Sequence, residues 1–183
     1  MGPHPYYDGR MAYTELKPAR PALIVIDLQK SFHQGSAVKS MDGACGTINA
    51  ILPRFRDRGL PVIWVQHRNA SEDLVEGKEG FAMIDCLKPA PGESIVIKEY
   101  GNAFNKTGLA KILKESGINT VVLAGYCAEY CVLSTYRGAK DLDLVPMMLS
   151  DALASGDEEN IGFVLRISET ISSGALSKFL ENC

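Results

Sequence analysis

Five short runs of the chain are almost wholly apolar and rich in branched residues: "PALIVID" at 21–27, "PVIWVQ" at 61–66, "SIVIK" at 94–98, "NTVVLAG" at 119–125 and "LVPMMLSD" at 144–151. Continuous rather than alternating apolarity predicts strands covered on both faces, as in a parallel sheet. Between the runs, helical patterning predicts helices over about 44–58, 107–116, 129–141 and 157–168. In "TGLAKILKESG", Leu109, Ile112 and Leu113 fall at helical spacing and Gly117 follows as a C-cap. Strand alternating with helix predicts a βαβ-built α/β domain. The stretch without clear period, "HRNASEDLVEGKEGFAMIDCLKPAPGE" at 67–93, is long for a connection inside a compact domain, which predicts a wall or lid for a site.

Length and composition narrow the picture. A chain of 183 residues, 46% apolar and 22% charged, is expected to fold as one domain around one sizeable core. We place an N-terminal extension at 1–20 and the domain at 21–183. The net charge is −3 with acids and bases interspersed, which argues against nucleic acid or anionic lipid as a partner. No apolar run approaches the roughly 20 residues that span a bilayer, and the opening segment lacks a signal-peptide core, so a cytoplasmic address is expected. Five cysteines, at 45, 86, 127, 131 and 183, are an odd number in a chain this long, which favours free thiols over a disulfide framework.

In open α/β sheets ligands bind beyond the carboxyl ends of the strands. Those ends here present Asp27, Gln66 with His67, Lys98, Gly125 onward, and Asp151. Cys131 falls in the first turn of the helix starting near Glu129, where exposed N–H groups and a nearby Lys98 are expected to lower its pKa. Asp27 is placed to take the thiol proton and hand it to a leaving amine. Each residue also has an ordinary structural reading: a buried cysteine, an aspartate that forms a turn or caps a helix, a solvated lysine. Asp151 in particular is expected to cap the helix that follows it.

The order "ALIVIDLQKSF", "IVIKEYGNAFNKTGLAKIL" and "TVVLAGYCAEYCVLSTYRGAKDLDLVPMMLSDA" resembles the isochorismatase-like cysteine hydrolases, the superfamily of nicotinamidases, N-carbamoylsarcosine amidohydrolases and related ureido or carbamoyl hydrolases. The likeness runs from about Pro21 to Ala152. Its motifs are Asp-Leu-Gln-x-x-Phe at 27–32, Lys98 followed by Asn102-Ala103-Phe104, and a glycine six residues before Cys131-Val132. The resemblance implies a Rossmann-like three-layer α/β/α fold with a six-stranded parallel sheet, its short last strand near "TIS" at 170–172. It also implies Asp27, Lys98 and Cys131 as a catalytic triad, and a cis peptide at Tyr126-Cys127. The backbone N–H groups of Cys127 and Cys131 are then the oxyanion hole, and the usual assembly is a homodimer or homotetramer.

Nicotinamidases of the superfamily hold a metal through an aspartate and histidines after the second strand. Here that segment offers His67 alone beside Glu72, Asp73 and Glu76, so no metal and no cofactor are expected. Cys127 and Cys131 as zinc ligands lack partners at recognised spacing. Phe32 and Tyr126 are expected to wall a pocket for a small flat substrate, with Trp64, Tyr100 and Phe104 as weaker candidates. His33 and His67 are open as pocket residues, and the contact often made after the last acidic motif position is in question because Asn160 stands there. The expected activity is metal-independent hydrolysis of a small amide, ureido or carbamoyl C–N bond through a thioester on Cys131. The alternatives are a redox sensor using Cys127 and Cys131, a non-catalytic binding protein, and a vinyl-ether hydrolase of isochorismatase type, the last disfavoured by Cys131.

Overall fold

The computed structural model describes residues 18–181; most of the extension placed at 1–20 lies outside the described residues, as does Cys183. Six strands form one parallel sheet: β1 (Pro21–Ile26), β2 (Val62–His67), β3 (Ser94–Lys98), β4 (Thr120–Gly125), β5 (Val145–Leu153) and β6 (Thr170–Ile171), in the order β3-β2-β1-β4-β5-β6. Helices α1 (Ala37–Arg56), α2 (Leu109–Glu115), α3 (Leu133–Lys140), α4 (Glu158–Arg166) and α5 (Ser173–Leu180) cover its faces. The expected three-layer architecture is therefore present.

The pleat of each strand explains the continuous apolar runs. Along β1, Leu23 and Val25 enter one core, and Ala22, Ile24 and Ile26 enter the other. The first core also takes Val62, Trp64, Val122 and Ala124 against α1 and α5, and the second takes Ile63, Val65, Val121 and Leu123 against α2, α3 and α4. All six residues of β1 and of β4 are buried, because helices lie on both sides. Helix α1 buries Ala37, Met41, Ala44, Cys45, Ile48, Ile51, Leu52 and Phe55, one stripe at a 3.6-residue period. Each fully buried Leu, Ile or Phe contributes about 1.5–3 kcal/mol.

Two boundaries differ from expectation. Helix α1 begins near residue 37 rather than 44, since Ala37 and Met41 extend its buried stripe ahead of Gly43. Helix α5 was not anticipated; it is eight residues long, opened by the Ser172 hydroxyl accepting from the Ala175 N–H, and its packing is carried by Leu176 and Leu180. Trp64 belongs to the core and donates Nε1–H to Glu93 at 2.7 Å, so it is no pocket wall. Among the described residues no helix is long and apolar enough to cross a membrane.

Parallel register brings the strand ends into line: Ile26 stands beside Val65 and Gly125, and His67 beside Lys98. Gly125, at φ 123°, lets β4 run against β1 where a Cβ would sit 2.1 Å from the Ile26 carbonyl oxygen. Gly125→Ala is therefore expected to destabilise the protein by at least about 2 kcal/mol. Urea unfolding monitored by circular dichroism measures this, and a wild-type midpoint in the variant would contradict the close approach.

Candidate active site

Three groups meet beyond the carboxyl ends of the central strands. Asp27 follows β1 with φ at 50°, a left-handed conformation uncommon for a residue with a side chain, and its N–H is held by the Val65 carbonyl at 2.9 Å. Lys98 ends β3, and Cys131 lies in a π turn, Ala128–Val132, that leads into α3. The Lys98 Nζ is 2.7 Å from Asp27 Oδ2 and donates to Cys131 Sγ at 3.2 Å. Its third neighbour is His67 Nδ1 at 3.4 Å. An ammonium has three donors, and here three acceptors lie around it. The side chains of Lys98 and Asp27 are 0% and 1% exposed, so this ion pair lies out of contact with water.

Burial sets the proton affinities. The Asp27 carboxyl is pushed up by burial, against the pull of the Lys98 charge. The Cys131 thiol, expected to be lowered, is instead pushed up to about 12, first by burial and then by the Asp27 carboxylate, with Lys98 opposing. The physical reason is that ionising both groups sets two anions against one buried ammonium. Each of the two groups therefore disfavours the ionised form of the other. His67 is lowered by burial and then by Lys98, which keeps its ring neutral and its Nδ1 free to accept.

The turn carrying Cys131 has the expected shape. The Tyr126-Cys127 peptide is cis. The Cys127 carbonyl accepts from Tyr130 at 3.1 Å and Val132 at 3.2 Å, and Ala128 donates to Ala154 at 2.9 Å. The N–H groups of Cys127 and Cys131 take no part in these bonds. The Cys127 thiol points to Ser155 Oγ at 3.8 Å, and burial, followed by Glu129, raises its pKa to about 12.

Above the triad is a cavity of about 490 Å³ walled by Phe32, His67, Tyr126 and Tyr130. Phe32 and Tyr126 line it as expected, their rings stacked 5.5 Å apart. Tyr100 and Phe104 do not line it: Tyr100 is exposed and accepts from Lys106, and Phe104 packs on the second core. His33 lies outside it as well, paired with Asp42 at 2.8 Å. The 67–93 stretch supplies His67, Asn69 and Glu72 to the lining. It is a wall fixed in place, since Lys30 and Ser31 donate to the carbonyls of Ala82 and Gly80, and the buried Gln29 side chain joins the Phe81 carbonyl to both backbone groups of His67.

The far side was not foreseen. Glu129 Oε1 accepts from Ser155 Oγ at 2.9 Å and Asn160 Nδ2 at 2.8 Å, so Asn160 acts on the site through Glu129. Asp157 caps α4, whereas Asp151 caps α5 through the Ser173 N–H at 3.0 Å, and so does not cap the helix that follows it. Among the described residues no group of three or more His, Cys, Asp or Glu side chains is arranged to hold a metal ion.

Residues 21–166 match the family model of the isochorismatase domain. The chain belongs to the isochorismatase family. An isochorismatase family protein of Bacillus subtilis, YrdC, is 34% identical over 143 residues, covering 74% of each chain. The ureidoacrylate amidohydrolase RutB of Agrobacterium fabrum is 29% identical over 175 residues, 75% of this chain and 77% of that one. The crystal structure of N-carbamoylsarcosine amidase from Thermoplasma acidophilum superposes with a TM-score of 0.74 at 28% identity, covering 84% of this chain and 96% of that one.

If the Asp27 charge holds the thiol proton in place, Asp27→Asn lowers the Cys131 pKa, because Lys98 then acts unopposed. Alkylation of Cys131 by iodoacetamide at pH 8, followed by mass spectrometry, is expected to quicken at least about tenfold. An unchanged or slower rate would show that the carboxylate does not set the thiol's affinity.

Proposed function

We propose that this isochorismatase-family hydrolase cleaves a C–N bond of a small amide, ureido or carbamoyl substrate through a thioester on Cys131, with no metal ion. The observation that carries the reading is the buried Lys98 ammonium lodged between the Asp27 carboxylate at 2.7 Å and the Cys131 sulfur at 3.2 Å, the last two lining a cavity sized for a small molecule. The names of two relatives point the same way, since one is an amidohydrolase and the other an amidase. Both of their named substrates, ureidoacrylate and N-carbamoylsarcosine, are also carboxylic acids.

The cycle follows from the positions. Sulfur attacks the substrate carbonyl carbon as its proton passes to Asp27, and Lys98 stabilises the negative charge that develops on sulfur. The carbonyl oxygen becomes an oxyanion, for which the Cys127 and Cys131 N–H groups are the donors. The tetrahedral intermediate expels nitrogen as Asp27 returns the proton, leaving a thioester on Cys131 and a free amine or ammonia. Water then attacks the thioester while Asp27 takes its proton. Collapse releases the acid, and the Cys131 sulfur regains the proton from Asp27.

Ammonia release from a panel of small amides, ureides and carbamates tests this. Cys131→Ser and Asp27→Asn are each expected to lower kcat at least about a thousandfold, with wild-type turnover indifferent to chelator. Turnover that survives in Cys131→Ser would remove the thioester, and loss of activity on chelation that divalent metal restores would remove the metal-free reading.

A further inference from the structure

The hydrolase reading leaves open what the far end of the substrate carries, and the cavity's charges bear on that point. Of its twelve lining residues four are carboxylates, Asp27, Glu72, Glu129 and Asp157, and none is lysine or arginine. Only Asp27 has a cation, and that cation is fully engaged by the triad and His67. Among the described residues Glu72, Glu129 and Asp157 enter no ion pair. His67 is neutral for the reasons given above, so it offsets nothing. A substrate carboxylate in this cavity would meet three uncompensated negative charges and no positive partner.

Glu129 is the best placed of the three. It stands two residues before Cys131, on the same turn. Its Oε1 is fixed by Ser155 and Asn160, and Ser155 is itself anchored by a hydrogen bond from Ser40 Oγ to its carbonyl at 2.6 Å. Its other oxygen, Oε2, is shielded from solvent and has no hydrogen-bond partner among the described residues. The bonds to Oε1 hold the Glu129 carboxylate, and its charge, at the wall of the cavity.

We propose that the cavity selects amides whose distal end is a cation, an ammonium or amidinium, and that Glu129 is the carboxylate that recognises it. This deepens the hydrolase reading and rests on it. It separates this chain from its two relatives named for acid substrates, because those substrates would require a cation that this lining does not present.

The test compares three primary amides of similar length, γ-aminobutyramide, γ-hydroxybutyramide and succinamate, which end in ammonium, hydroxyl and carboxylate. The expected order of kcat/KM is ammonium, then hydroxyl, then carboxylate, with at least about tenfold between first and last, the range of one hydrogen bond to a charged group. The ratio is expected to shrink with added sodium chloride and to shrink in Glu129→Gln, which is judged on the ratio so that a general loss of rate does not obscure it. Equal or better turnover of succinamate would overturn the inference while leaving the hydrolase reading intact. A ratio unmoved in Glu129→Gln would remove Glu129 as the recognising group. If none of the three is turned over, isothermal titration of each into the Cys131→Ser protein decides the matter: tighter binding of γ-aminobutyramide upholds the charge selection, and absent discrimination overturns it.

Discussion

The buried ion pair of Lys98 with Asp27 is the interaction on which the site depends. Removing both charges from water costs several kcal/mol for each ion, and their attraction offsets that cost only when geometry is good and the remaining donors are used. Here the ammonium meets Asp27 at 2.7 Å, the Cys131 sulfur at 3.2 Å and the His67 ring at 3.4 Å, so three acceptors surround one nitrogen. Three acceptors from three different parts of the chain therefore have to arrive within hydrogen-bond reach of one nitrogen. Parallel register does most of this, since β2 and β3 end together at His67 and Lys98 and β1 ends beside them. Packing that would be ordinary scaffolding elsewhere is thereby tied to the chemistry.

Irregular backbone is concentrated where the regular scaffold ends. Asp27 at φ 50°, Gly125 at φ 123° and the π turn that carries Cys131 all lie at the carboxyl edge of the sheet. Conformations of this kind persist only where the surroundings over-determine them. The two apolar cores and the six-residue pairing of β1 with β4 supply that constraint. The segment at 80–84 adds to it by hydrogen-bonding to the Leu28–Ser31 stretch, so the wall and the residue after β1 hold each other in place.

What could be read from the sequence follows the range of the interactions involved. The strands were visible because burial on both faces leaves an uninterrupted apolar signature, and the triad was visible because strand ends converge in this architecture. Helix α5 was not, since eight residues with two buried leucines give too short a period to stand out. The direction of the Cys131 pKa was misread for a different reason: Lys98 and the helix start are visible in one dimension, whereas depth of burial and contact with Asp27 are not. His67 and Glu129 took their roles from neighbours 31 residues away, through Lys98 and Asn160 respectively, and no local spacing announces such pairs. Trp64 could not be told from a pocket residue until the pleat assigned it to the α1 face.

The raised thiol affinity is compatible with a nucleophile once the proton is followed. Burial and the Asp27 carboxylate both raise the proton affinity of the Cys131 sulfur, which favours the thiol, the form that peroxide and electrophiles attack least. A preformed thiolate would be more reactive but indiscriminate. In the proposed cycle sulfur becomes nucleophilic as it loses its proton to Asp27, and that loss is favoured when a carbonyl carbon stands ready to take the electron pair and backbone donors stand ready to take the oxyanion. In that cycle burial, which raises both affinities, would couple deprotonation to the presence of substrate. Lys98 would make the proposed coupling workable: its charge remains in place while the negative charge moves from carboxylate to sulfur to oxyanion, so no step of the cycle leaves the buried ammonium without a counter-charge.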